Sequence, residues 1–165
     1  MLLMLLPLTA CSIDKNSEQE DGEASEWLGS PPMIAIDTKN EGQNMVLDTY
    51  CWEKDGETCD LVPTDPQELL VDQQFLKVTT GEEMMISMGF VEGSTSESIK
   101  LDVDRIKIIH IAPSGERKEN DLGNKNFQFT APEEVGLHYY TVILTWDNDE
   151  IKGEAIYGMK VNVKE

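Results

Sequence analysis

Tyr139-Tyr140-Thr141-Val142-Ile143-Leu144-Thr145-Trp146, then Asp147-Asn148-Asp149-Glu150, then Ala155-Ile156-Tyr157-Gly158-Met159-Lys160-Val161-Asn162-Val163 is the stretch that decides the fold. Tyr140, Val142, Leu144 and Trp146 alternate with Tyr139, Thr141, Ile143 and Thr145. Ala155, Tyr157, Met159, Val161 and Val163 then fall on every second position, with Lys160 and Asn162 between them. Period two is the repeat of a strand whose side chains point to opposite faces. The polar tetrad between the two runs reads as a turn. The whole predicts a long β-hairpin with one face buried.

Outward from this hairpin the signals are mostly strands. Met33-Ile34-Ala35-Ile36 and Met45-Val46-Leu47 are short apolar runs separated by Asn40-Glu41-Gly42. Phe75-Leu76-Lys77-Val78-Thr79 leads through Thr80-Gly81-Glu82 into Met84-Met85-Ile86-Ser87-Met88, where Met84, Ile86 and Met88 share a face. Ile99 to Ile111 is rich in β-branched residues and ends in the turn Ala112-Pro113-Ser114-Gly115. Phe127 and Phe129 flank Gln128 in another short strand. Gly93-Ser94-Thr95-Ser96-Glu97-Ser98 reads as a loop.

One helix is expected. Asp65 caps it, Pro66 takes its first position and Glu68 lies three residues after the cap. Leu69, Leu70 and Val71 would face the core. About eight strands with turns every ~8–12 residues give an all-β protein, a two-layer antiparallel sandwich with one short helix.

The N-terminal end decides location. Leu2-Leu3-Met4-Leu5-Leu6-Pro7 is an apolar run too short to span a bilayer, which needs ~20 residues. It suits the core of a signal peptide. Leu8-Thr9-Ala10-Cys11 follows it and resembles the lipobox of bacterial lipoproteins. That resemblance implies cleavage after Ala10, a diacylglycerol on the Cys11 thiol and often an acyl chain on the freed amine. Two or more chains anchor firmly where one binds only marginally. Export signals begin with positive charge, and no Lys or Arg precedes this run, so the expectation is a start upstream of Met1.

Residues 1–10 are therefore read as the signal peptide, residues 11–32 as a lipidated cysteine with a disordered acidic tether, and residues 33–165 as the sandwich domain. The tether is rich in Ser, Glu, Asp and Gly, with only Trp27 and Leu28 as large apolar residues, and cannot bury enough surface to fold. A coil of ~20 residues reaches about 25 Å. Pro31-Pro32 marks its end.

The 165 residues carry a net charge of −19. Met1 to Ala10 holds no charged side chain, so processing leaves that charge unchanged. Such a balance argues against nucleic acid as a partner, because nucleic acid asks for basic patches. It also opposes lying flat on an anionic leaflet. A charged surface that keeps the protein soluble is the plainer reading.

The three cysteines are Cys11, Cys51 and Cys59. With Cys11 lipidated, an even pair remains, and outside the cytoplasm such a pair is oxidised. Lys54-Asp55-Gly56-Glu57 reads as a turn across which Cys51 and Cys59 meet in a hairpin. A zinc site would need two further ligands, and the two histidines, His110 and His138, are distant in sequence. A redox pair would favour Cys-x-x-Cys spacing. Tyr50-Cys51-Trp52 with Cys59 is similar to a block in uncharacterised exported proteins of Gram-positive bacilli, which implies no activity.

Ala131-Pro132-Glu133-Glu134-Val135-Gly136-Leu137-His138-Tyr139-Tyr140 with the hairpin after it resembles the last two strands of bacterial immunoglobulin-like domains. There a glycine precedes a strand with a tyrosine near its start. Here Gly136 takes the first place, and Tyr139 or Tyr140 the second. The resemblance implies an immunoglobulin-like sandwich and, by analogy, Trp52 packed in the core beside the disulfide. It says little about activity.

Chemistry is sparse. His110 in an apolar strand and His138 at a strand entrance read as structural. There is no Gly-x-Ser-x-Gly, His-Glu-x-x-His or phosphate-cradling loop. Asp147-Asn148-Asp149-Glu150 lacks the spacing of a calcium loop and reads as a hairpin tip. Met33, Met45, Met84, Met85 and Met88 sit among aliphatic residues and read as packing rather than as a copper site. The expectation is no catalytic residue, no metal and no cofactor. The favoured reading is a lipoprotein anchored through Cys11 on the outer face of the membrane, a non-enzymatic module binding a protein or envelope component. An immunoglobulin-like inhibitor of a hydrolase or protease is the alternative, and a wall-active hydrolase comes last.

Overall fold

The computed structural model describes residues 31–53, 58–89, 103–124, 127–149 and 151–165. Leu8-Thr9-Ala10-Cys11, the expected tether up to residue 30, the expected turn Lys54-Asp55-Gly56-Glu57 and the expected loop Gly93–Ser98 lie outside them. So do residues 99–102 of the expected strand.

The period-two hairpin forms as read. Strand β9 (Gly136–Asp147) pairs antiparallel with β10 (Lys152–Lys164), Tyr157 opposite Val142 and Ala155 opposite Leu144. On β9's other side lies β6 (Arg105–Ile111), Ile108 opposite Val142 and His110 opposite Tyr140. Beyond it is β7 (Arg117–Gly123), a strand that the apolar pattern missed. β10 carries β3 (Val46–Trp52) and β4 (Leu76–Thr79) on its outer side. These six strands form one sheet. The pairing of β4 with β10 is parallel, a departure from the purely antiparallel expectation.

The second sheet has four strands in the order β2 (Gly42–Asn44), β1 (Met33–Asp37), β5 (Glu83–Gly89) and β8 (Gln128–Thr130). The turn at Thr80-Gly81-Glu82 does not make a hairpin. It carries the chain from β4 in one sheet to β5 in the other.

The two sheets make an all-β sandwich. Ile34, Ile36, Met84 and Ile86 from the small sheet close on Ile106, Val142, Leu144, Trp146 and Tyr157 from the large one. Met84, Ile86 and Met88 share the inner face as expected, with Met84 and Ile86 buried. Met33 and Met85 sit on the outer face and are about half exposed, so not every strand methionine packs in the core. Fully burying such side chains stabilises by about 1.5–3 kcal/mol each.

Pro31 and Pro32 are already buried at the expected domain edge. The Tyr157 hydroxyl donates to the Pro32 carbonyl at 2.7 Å in the interior. Burial drives the phenol pKa well above its usual range, so it stays a donor.

Helix α1 (Pro66–Leu69) is capped as the local sequence dictates: Asp65 Oδ1 accepts the Gln67 N–H. It does not enter the space between the sheets. It lies on the outer face of the large sheet, over Gly158, where an added Cβ would fall 2.7 Å from Leu69 Cδ2. The Lys160 ammonium donates to the Leu70 and Val71 carbonyls at the helix end, joining the Gln73 N–H on the Leu70 oxygen. Leu70 is buried, but Val71 is 70% exposed. The helix stops before Val71 can turn inward, which corrects that expectation. The same cover explains why Ile156 and Thr141, on the hairpin's outer face, are buried.

Among the described residues no helix is long and apolar enough to cross a membrane.

Candidate functional site

Two places concentrate functional side chains: the end of β3 that carries the disulfide, and the opposite reach of β9, where the two histidines lie.

Cys51 and Cys59 are joined, with their Cα atoms 5.8 Å apart. Cys51 lies on β3, but Cys59 lies in an irregular stretch, so the pair does not bridge a hairpin. The hydrogen-bonded partner of β3 is β10 instead. The disulfide fastens the segment after residue 58 to β3, and a second fastening lies further along. Asp48 accepts the Thr64 N–H at 2.8 Å and the Thr64 hydroxyl at 2.7 Å. Asp48 is the extra residue where the β3–β10 register shifts. Tying a segment to an edge strand hinders unwanted pairing there.

Trp52, next to Cys51 on the strand, is half buried, with its ring centroid 5.0 Å from that of Trp146 in an edge contact. It packs against the edge of the core and is not enclosed by it. Tyr50, two residues earlier on the same face, is 41% exposed.

The hairpin tip is organised by its own side chains. Asn148 Oδ1 accepts the Ile151 N–H, and Asp147 pairs with Lys152 at 3.2 Å. The Asp147 N–H donates to Asp104. Among the described residues no group of three or more His, Cys, Asp or Glu is placed to hold a metal.

The histidines, distant in sequence, meet. His110 Nε2 and His138 Nδ1 are 2.8 Å apart, and His138 Nε2 is 2.7 Å from the Glu134 carbonyl oxygen. His138 is fully buried and His110 half buried. The His110 ring lies nearly parallel to His138, with centroids 5.1 Å apart, and stacks on Tyr140 at 4.8 Å. Phe129 reaches Tyr140 from the facing sheet.

A carbonyl only accepts, so His138 Nε2 carries a hydrogen. Neutral His138 then presents a bare Nδ1, and His110 Nε2 donates to it. Glu134 closes the arrangement from outside. Its carboxylate accepts the Ser114 N–H and hydroxyl, linking the β6–β7 turn to the segment that enters β9. Gly136 starts that strand at φ 134° against Pro113, where a Cβ would meet the ring at 2.9 Å. That approach needs glycine.

Burial foremost, then repulsion from His138 and Lys118, holds the His110 imidazole below its ordinary 6.5, while Glu134 and Glu116 pull the other way. The folded value lies below the unfolded one. The stability tied to the neutral ring is therefore complete above pH 6.5 and is lost as pH falls from there through the folded value. Burial also keeps the Tyr140 phenol protonated well past its usual range.

Sequence reasoning treated the two histidines separately. The signal was parity: His110 pairs with Tyr140, and His138 lies two residues from Tyr140 on the same face. Only the register of β6 on β9 converts parity into contact.

Comparison with protein-family models, curated proteins and solved structures finds no match to this chain.

Proposed function

We propose that this chain is a bacterial lipoprotein anchored through Cys11 on the outer face of the cell membrane, its sandwich a non-enzymatic binding or accessory module of the envelope. The Cys51–Cys59 bond is the observation that carries this reading. Disulfides persist in oxidising compartments. The bond also uses two of the three cysteines and leaves Cys11, inside the lipobox-like stretch, as the remaining thiol. The binding role draws support from where the reactive side chains are engaged. His138 commits both ring nitrogens to the fold, and His110 commits Nε2 to His138. An acidic tether would hold the module about 25 Å from the bilayer, within reach of envelope partners.

The test is fractionation of cells that express wild type and Cys11→Ala, with crosslinking in intact cells. Wild type is expected with the membranes, and Cys11→Ala is expected free of them. A crosslinked partner is expected with the anchored form alone. A Cys11→Ala chain that stays with the membranes contradicts the anchor.

A further inference from the structure

We propose that His110 and His138 form an acid-sensitive latch, which holds with no added proton or one and opens when both rings are protonated, releasing the His110 ring from Tyr140.

The order of protonation follows from the bonds. His138 Nε2–H is committed to the Glu134 carbonyl, and His110 Nε2–H to His138 Nδ1. Among the described residues nothing bonds to His110 Nδ1, which takes the first proton. A first proton there leaves the 2.8 Å bond intact and makes it charge-assisted. A second proton must go to His138 Nδ1. Two N–H groups then face each other across 2.8 Å, and two positive rings lie edge to edge with centroids 5.1 Å apart. That arrangement cannot persist.

One ring has to leave. His138 is fully enclosed and held by Glu134, whereas His110 is half buried, so His110 swings into solvent.

The surrounding charges set how hard the latch is to open. On β7, Lys118 lies directly opposite His110 and opposes its charging. Glu116 in the β6–β7 turn favours it but is shared with Lys118 at 3.3 Å. Glu134, from the segment before β9, favours it as well, while its carboxylate is bonded to Ser114. Tyr140 on β9 stays neutral, and Phe129 from the facing sheet brings no charge. Opening removes the stacking partner of Tyr140 and exposes this end of the core.

The test is a pH titration of the full chain with nitrogen-labelled histidine, followed by NMR together with the Tyr140 and Phe129 ring signals. Two separated steps are expected, with the Tyr140 signals moving only in the second. Both rings titrating independently near 6.5 with Tyr140 unmoved overturns the latch. So do two steps that leave Tyr140 unmoved. His110→Gln keeps a donor toward His138 Nδ1 and does not titrate. Its Tyr140 signals are expected to stay constant through the acid range, and a wild-type-like movement in this variant also overturns the proposal.

Discussion

Trp146→Ala is expected to cost about 3–5 kcal/mol of unfolding free energy, the range for deleting a buried aromatic. Trp146 is 1% exposed and among the largest fully buried side chains. It lies in the cluster formed by both sheets and meets the Trp52 ring in an edge contact with centroids 5.0 Å apart. Removing it leaves a cavity that the backbone cannot close. Its strand is paired on both sides, by β6 and by β10.

Trp146→Phe is the informative comparison. The indole N–H is buried and finds no acceptor among the described residues. Leaving such a group unpaired costs about 1–3 kcal/mol, which phenylalanine avoids. That gain offsets much of the lost contact area, so Trp146→Phe is expected within about 1.5 kcal/mol of wild type, the ceiling for tolerated hydrophobic swaps. Urea unfolding of the three proteins checks both expectations.

Gly153→Val is expected to be nearly as damaging for the opposite reason. Gly153 lies between Trp146 on β9 and Trp52 on β3. A Cβ built there would fall 2.4 Å from the Cys51 carbonyl oxygen and 2.5 Å from Trp52 Cε3. The first of these is backbone, and Cys51 is held by its bond to Cys59. Neither neighbour can step aside cheaply, and overpacking of this kind costs about 3 kcal/mol. The near-ultraviolet circular dichroism of the Trp52–Trp146 pair is expected to change with the loss of stability. A variant with wild-type stability and spectrum would mean that Trp52 does not sit over Gly153.

The hairpin was legible because its information is local. Alternation over two long runs, broken by four polar residues, admits few other readings. The helix cap was legible for the same reason, since Asp65 and Pro66 act within one turn.

β7 was not legible. Arg117-Lys118-Glu119-Asn120-Asp121 is exposed along both faces at the edge of the large sheet, so no apolar period marks it. Its cross-strand pairs are charges, Arg105 with Asp121 at 2.6 Å and Lys107 with Glu119 at 3.6 Å. The Gly123 N–H, foremost, and then Arg105 hold the Asp121 carboxyl below its usual range. Such exposed pairs add little stability, and charge on an edge strand discourages pairing with other chains.

Long-range placement was hidden for a different reason. The turn between β4 and β5 looks the same whether it closes a hairpin or crosses between sheets. The cysteine pair followed from counting, but its geometry did not, because β3 pairs with a strand a hundred residues later in the chain rather than with the segment after the turn. The histidine cluster needed the β6–β9 register, which no local pattern carries.

The lipoprotein reading is tested most directly by the intact mass of the protein extracted from membranes, with and without reduction. The expected species begins at Cys11, carries a diacylglycerol with or without a further acyl chain, and gains two hydrogens on reduction as Cys51 and Cys59 separate. A chain that retains residues 1–10 with an unmodified Cys11 would contradict the anchor and the location it implies.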